Sequence, residues 1–230
     1  MIRYIFEFPD RKTLSFEVDE AGELSSVEDS GEPVPIWARL DIHRCEHCTL
    51  PQSDRAACPA AFCLRPVIEA FAGNFSYEGV YVRAELQGKE QRFHTSLPSA
   101  IRSIVGLLMA LSACPVMRKM RPMAHFHVPF STYEHTVYRA MGMYLIAQLL
   151  REQTGLEADW GMDGLIGLYR KIHVVNEQMA GRIRMAAEKD ATVNALISLD
   201  IFTFSFDSQM KKKLEDWKPL FSAYMEEEPS

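Results

Sequence analysis

Four cysteines, Cys45, Cys48, Cys58 and Cys63, fall within 19 residues in the spacing C-x2-C-x9-C-x4-C. Two close pairs of thiolates can offer four soft ligands to a tetrahedral ion while the backbone turns tightly around it. The spacing therefore predicts one zinc ion. Four filled positions close the site, and a closed site is structural rather than catalytic. His43 and His47 flank the first pair and can replace a cysteine as ligand. An iron–sulfur cluster is the less favoured alternative, because the ferredoxin spacing C-x2-C-x2-C-x3-C-P is missing. Without a metal, the same C-x-x-C is the form of a dithiol switch. The fifth cysteine, Cys114, follows an apolar run and reads as a small buried hydrophobe.

A second concentration of chemistry lies further on, in Cys114-Pro115-Val116-Met117-Arg118-Lys119-Met120-Arg121-Pro122-Met123-Ala124-His125-Phe126-His127-Val128-Pro129-Phe130. If residues 124–128 are extended, His125 and His127 point to one side, since strand side chains alternate. Glu134 and His135 then sit in the first turn of the next helix. Paired histidines with a nearby carboxylate suit an open metal site or acid–base catalysis. His125, His127, Glu134 and His135 are thus the catalytic candidates. Arg118 and Arg121 are weaker candidates for holding an anion. The plainer reading makes the histidines packing or surface groups and the cations a solvated face. It also gives Glu134 a structural task, as partner of Ser131 in an S-x-x-E capping box. His173, Asn176 and Asp200 lie near apolar helix faces and are a further, weaker pocket set. Gly161, Gly164 and Gly167 follow no strand and lack the Lys-Ser/Thr of a phosphate loop. H-E-x-x-H and G-x-S-x-G are absent from the sequence.

The elements that would position these groups follow from periodicity. Ile2, Tyr4, Phe6 and Phe8 alternate, and so do Leu14, Phe16 and Val18, which predicts an N-terminal hairpin turning at 9–12. Residues 19–35 read as an exposed loop. A short helix is expected near Pro66, and strands over 80–86 and 91–95 about the turn at 87–90. Beyond Ser96 the pattern becomes helical. Pro98 to Ala113 is apolar around most of its circumference and predicts a central buried helix, ending at Cys114-Pro115. Helices are expected from Ser131 to Thr154 with Gly155 as stop, over 163–188, and near 190–206 and 209–224. The fold class is α+β: a β-rich, antiparallel N-terminal part over 1–97 with a four-cysteine zinc knuckle, a helical bundle over 98–225, and an acidic tail at 226–230.

Charge narrows the partners. Residues 1–97 carry 10 Lys/Arg against 16 Asp/Glu, whereas 98–230 carry 15 of each. An acidic front and a neutral back argue against nucleic-acid binding, which needs a basic face. The longest nearly apolar run, Ile104–Val116, is 13 residues; a membrane span needs roughly 20. No secretory leader pattern opens the chain. A cytoplasmic protein with reduced thiols is expected.

The cysteine segment, Met109-Ala110-Leu111-Ser112-Ala113-Cys114-Pro115 and Arg121-Pro122-Met123-Ala124-His125-Phe126-His127-Val128-Pro129-Phe130 together resemble an uncharacterised bacterial family of unknown function. The resemblance implies a bacterial cytosolic protein and carries no catalytic residue. Two functions are weighed. The first is a zinc-stabilised accessory or regulatory protein acting on a protein partner or its own copy. The second is an enzyme or small-ligand binder with a polar site around His125, His127 and Glu134.

Overall fold

The computed structural model describes residues 1–19, 33–51 and 56–226. The acidic loop expected at 19–35 and the tail at 226–230 lie largely outside these residues. Alternation produces the expected hairpin, β1 (Ile2–Glu7) and β2 (Thr13–Val18). The pairs of the cysteine segment follow. Leu40 N–H donates to Ala56 O (2.7 Å) and Cys58 N–H to Ala38 O (2.8 Å), which brings Cys58 back beside the first pair. Cys58 and Cys63 flank one helical turn, α1 (Pro59–Phe62), and α2 (Arg65–Phe71) starts at the expected proline. A second hairpin, β3 (Gly79–Leu86) and β4 (Lys89–Ser96), completes a four-stranded antiparallel sheet of order β2-β1-β3-β4.

The sheet has one dry face. Tyr4 and Phe6 of β1 sit beside Ala84 and Val82 of β3 and beside Phe16 and Leu14 of β2. Phe6, Phe16 and Phe71 pack edge-on or tilted, with ring centroids 4.9–5.8 Å apart, and tie α2 to the sheet. Ion pairs such as Arg3–Glu17 and Arg83–Glu85 mark the other face.

Across the dry face lies α3 (Leu97–Leu111), with most of its residues buried. Its apolar circumference packs against two bodies, the sheet and the helical half. One continuous hydrophobic cluster runs from β1 through α3 into the C-terminal helices. After α3 the chain makes a 3-10 turn over Met117–Met120 and a short helix, α4 (Arg121–His125). The sequence favoured an extended 124–128; Pro122 instead starts a helical turn, because its fixed φ suits a first-turn position. His125 and His127 therefore share no strand face.

The long helices are α5 (Tyr133–Gln153), α6 (Asp163–Ala186) and α7 (Ala191–Trp217). The expected Ser131–Glu134 capping box is not formed. Thr132 is the cap, its Oγ1 accepting from His135 N–H at 3.2 Å. Glu134 turns away and accepts from Trp217 Nε1 (2.8 Å) and Lys213 Nζ (3.3 Å). The helix expected at 190–206 and the first part of the one expected at 209–224 are a single helix to Trp217, and Lys218–Tyr224 follows as a 3-10 segment. Between the two expected helices stands no glycine or proline, and the Asp207–Lys211 pair (2.9 Å) bridges the proposed gap. Among the described residues no helix is long and apolar enough to cross a membrane.

The cysteine segment is seated on α6. Arg182, 2% exposed, donates to the carbonyls of Trp37 (3.0 Å), Arg39 and His43 (3.3 Å). At the adjacent position, Gly181 leaves room for the His43 ring: a Cβ there would lie 2.6 Å from it. Gly167, on the same helix, has nothing within 4 Å of such a Cβ. Gly→Ala inside a helix ordinarily stabilises by about 1 kcal/mol. Gly167→Ala should follow that rule. Gly181→Ala should reverse it and destabilise by about 1 kcal/mol, with urea denaturation of both variants as the check.

Candidate ligand cavity and cysteine cluster

A cavity of about 550 Å³ opens between α3, α5, α6, α7 and the stretch 117–130. Its wall is mostly apolar, because α3 presents Gly106 and Ala110 there and Met117, Met120 and Met123 supply flexible side chains. Ligand sites commonly measure about 300–1,000 Å³ and combine such walls with a few placed polar groups.

Those polar groups are specific. Arg102 and Arg139 are the only charged residues on the wall among the described residues. Arg102 Nη1 donates to Ser198 Oγ at 2.9 Å, and Arg139 Nη2 to Met123 O at 2.9 Å and to Phe126 O. Neither has a carboxylate partner among the described residues, and burial lowers the pKa of both guanidiniums. Asn176, 1% exposed, donates from Nδ2 to Thr203 Oγ1 at 3.0 Å, while its buried Oδ1 accepts from no described residue. Thr203 in turn donates to Leu199 O.

His127 stands in the same wall, at the foot of the sheet. Its Nε2 lies 2.6 Å from the Tyr4 hydroxyl, which lies 2.8 Å from Ser103 Oγ. Phe130 N–H donates to that Ser103 oxygen. A strand, the central helix and the stretch after α4 are joined by one hydrogen-bonded chain. Burial, with Arg139 nearby, pushes the imidazole pKa down to about 4. Burial also raises the Tyr4 phenol well above its ordinary value. Both groups are neutral at pH 7.

Of the other expected site residues, His125 and Arg121 share a second depression with His127, while Glu134, His135 and Arg118 do not join it. His125 is exposed, with its ring edge-on to Phe126. Together with His127 and Arg121 it lines this depression, of about 340 Å³, beside β1 and β2. Glu134 is held by Trp217 and Lys213, and His135 and Arg118 are exposed. His173 pairs with Asp200 at 2.8 Å. Of the weaker set, Asn176 alone lines the cavity. Arg102 was missed, although a signal existed: it is the sole charge in the apolar run Leu97–Leu111.

The five cysteines divide differently from their sequence spacing. Cys45, Cys48 and Cys58 line a small cavity of about 30 Å³ together with Cys114 from the turn after α3. Cys63 is not in that wall. It faces α3, its thiol directed at Ala60 O (3.2 Å) and Leu108 O (3.5 Å). Burial pushes the Cys45 thiol up to about 11, with Cys58, Cys114 and Cys48 adding to the rise, and raises Cys63 further. His47 borders the same cavity, and its buried Nε2 has no partner among the described residues. Among the described residues no three His, Cys, Asp or Glu side chains stand ready-grouped around a metal position.

The buried imidazole makes stability depend on pH. Its folded pKa of about 4 lies below the ordinary value of 6.5, so between the two the unfolded chain binds the extra proton. This contribution is complete above pH 6.5 and is lost as pH falls toward 4, by up to about 3 kcal/mol. His127→Gln should lose that part of the acid sensitivity. Denaturation midpoints at pH 7 and pH 4.5 that fall equally in both proteins would refute it.

No curated protein and no solved structure matches the chain. Residues 2–222 match the family described as a domain of unknown function (DUF6901). That span is nearly the whole sequence, and it answers to the resemblance read from the cysteine and His-Pro stretches: the chain belongs to this family.

Proposed function

We propose that this protein binds a small apolar molecule bearing an anionic group, in the cavity between α3, α5, α6 and α7. A single observation carries this reading. The cavity wall holds two guanidiniums, Arg102 and Arg139, and no carboxylate among its described residues. A partly buried cation without a counter-charge is costly. A carboxylate or phosphate on the ligand would supply the charge. The apolar wall would take its hydrocarbon part, and the free Asn176 oxygen would accept from a hydroxyl or amide. The sequence placed a ligand site second, around His125, His127 and Glu134. The cavity keeps His127 and replaces the other two.

Decanoate and decanol separate charge from hydrocarbon in a calorimetric titration. The acid should bind at least about tenfold tighter than the alcohol, a difference of about 1.4 kcal/mol. Arg102→Gln should remove that preference. Gly106→Leu, whose added carbons enter the cavity, should abolish binding of both. Equal affinity for acid and alcohol in the unaltered protein would overturn the reading.

Self-association, part of the interaction role put first from the sequence, is favoured by a different observation. On α5, Ile146 is 61%, Leu149 46% and Leu150 57% exposed. From Ala140 to Leu150 the helix carries no charge. Two copies could meet on this face without opposing like charges, as an isologous pair requires. Light scattering should find a dimer that Ile146→Glu and Leu149→Glu dissociate. A monomeric unaltered protein would exclude it.

A further inference from the structure

We propose that Cys45, Cys48, Cys58 and Cys114 hold one zinc ion, and that Cys63 does not. Spacing in the sequence pairs Cys58 with Cys63. In the fold only Cys58 lies on the wall of the small cavity. Cys58 precedes α1 and Cys63 follows it, so one helical turn sends the second thiol inward to α3. Cys114 arrives in its place, from the turn that ends α3.

Four observations support the assignment. First, four thiols from three separate pieces of chain share one cavity wall. Second, the cavity measures about 30 Å³, the share of a single water molecule in the liquid. It suits an ion and excludes a metabolite. Third, Arg182 lies on the same wall, and its charge acts on Cys58, Cys45 and Cys48. Four thiolates around a divalent ion leave two negative charges, and this guanidinium would face them. Fourth, the His47 Nε2 has no partner among the described residues, and a metal-bound sulfur can accept its N–H. In the metal-free geometry the thiols do not converge on a common point. Each cysteine has only one side-chain torsion to adjust. Metal binding routinely completes its own site in this way.

The site would differ from a simple knuckle in what it joins. A Cys45-Cys48-Cys58-Cys63 centre would fasten the front segment to itself. With Cys114 as fourth ligand, the metal would fasten that segment to the end of α3.

The full chain, purified anaerobically, should contain about one equivalent of zinc. Cobalt exchanged into it should show the absorption of a tetrathiolate. Cys63→Ser should keep both. Cys114→Ser should bind zinc at least about tenfold more weakly against a competing chelator and show a three-sulfur cobalt spectrum. Should either variant fail to fold, the unaltered protein still decides. Mass spectrometry after alkylation with and without chelator should find Cys45, Cys48, Cys58 and Cys114 released together, with Cys63 unlabelled throughout. The proposal is overturned by metal-free protein, by iron with labile sulfide, or by Cys114 labelling at the same rate with and without chelator.

Discussion

The structure turns on a buried guanidinium. Residues 36–63 are poor in large apolar side chains and cannot make a core of their own. Arg182 solves this from outside the segment. It reaches out of α6 and satisfies the carbonyls of Trp37, Arg39 and His43. Hydrogen bonds from a charged donor are worth about 1.5–3 kcal/mol each, and they add to the burial of Trp37 and Leu40. The arrangement also fixes a position. With Trp37, Arg39 and His43 pinned to α6, the Cys45–Cys48 turn and the returning Cys58 are held over the end of α3. Gly181 belongs to the same device, since the His43 ring can lie against α6 only where the helix has no side chain.

A second constraint is that α3 serves two layers. One side closes the sheet against Tyr4 and Phe6. The other must meet α6 and α7, whose own faces are set by Tyr169, Asn176, Phe202 and Phe206. These surfaces do not mesh everywhere. Where α3 offers Gly106 and Ala110, its wall is too shallow to meet the aromatic and threonine side chains opposite, and the cavity is what remains. Tightly packed interiors leave few voids larger than a water molecule. A cavity of about 550 Å³ with two cations on its wall is far larger than such a void, which supports the proposed ligand site.

Much of this was legible in the sequence. Alternating apolar residues placed both strands of the first hairpin and the inner strand of the second, and the positions Leu165, Leu168, Ile172, Val175, Met179 and Ile183 placed the buried face of α6, because burial imposes its period directly. Local chemistry was less secure. Thr132 capped α5 in place of its neighbour Ser131, a choice between adjacent hydroxyls that only the chain's entry angle decides. Pro122 could end an extended run or begin a helical turn, and the second option removed the strand face that His125 and His127 were expected to share. Least legible were contacts set by tertiary folding. Cys58 and Cys63 are close in sequence, yet only Cys58 lines the small cavity, while the Cys63 thiol faces α3. Arg102 showed as a lone charge in an apolar helix, but nothing local says that its surroundings are a cavity.

The two proposed sites are mechanically connected through the chain that follows α3. Cys114 stands at the start of that stretch, and Met117 and Met120 of the ligand cavity come three and six residues later. The 3-10 turn that carries them packs on α3, with both methionines buried in the core cluster. A metal bound to Cys114 would fix one end of the turn, while the Arg139 hydrogen bonds to Met123 and Phe126 carbonyls fix the other. The cavity wall between them would then be a short span anchored at both ends. On this view the cysteine segment serves the cavity at a distance. It holds no ligand itself, but it sets the position of the wall that does.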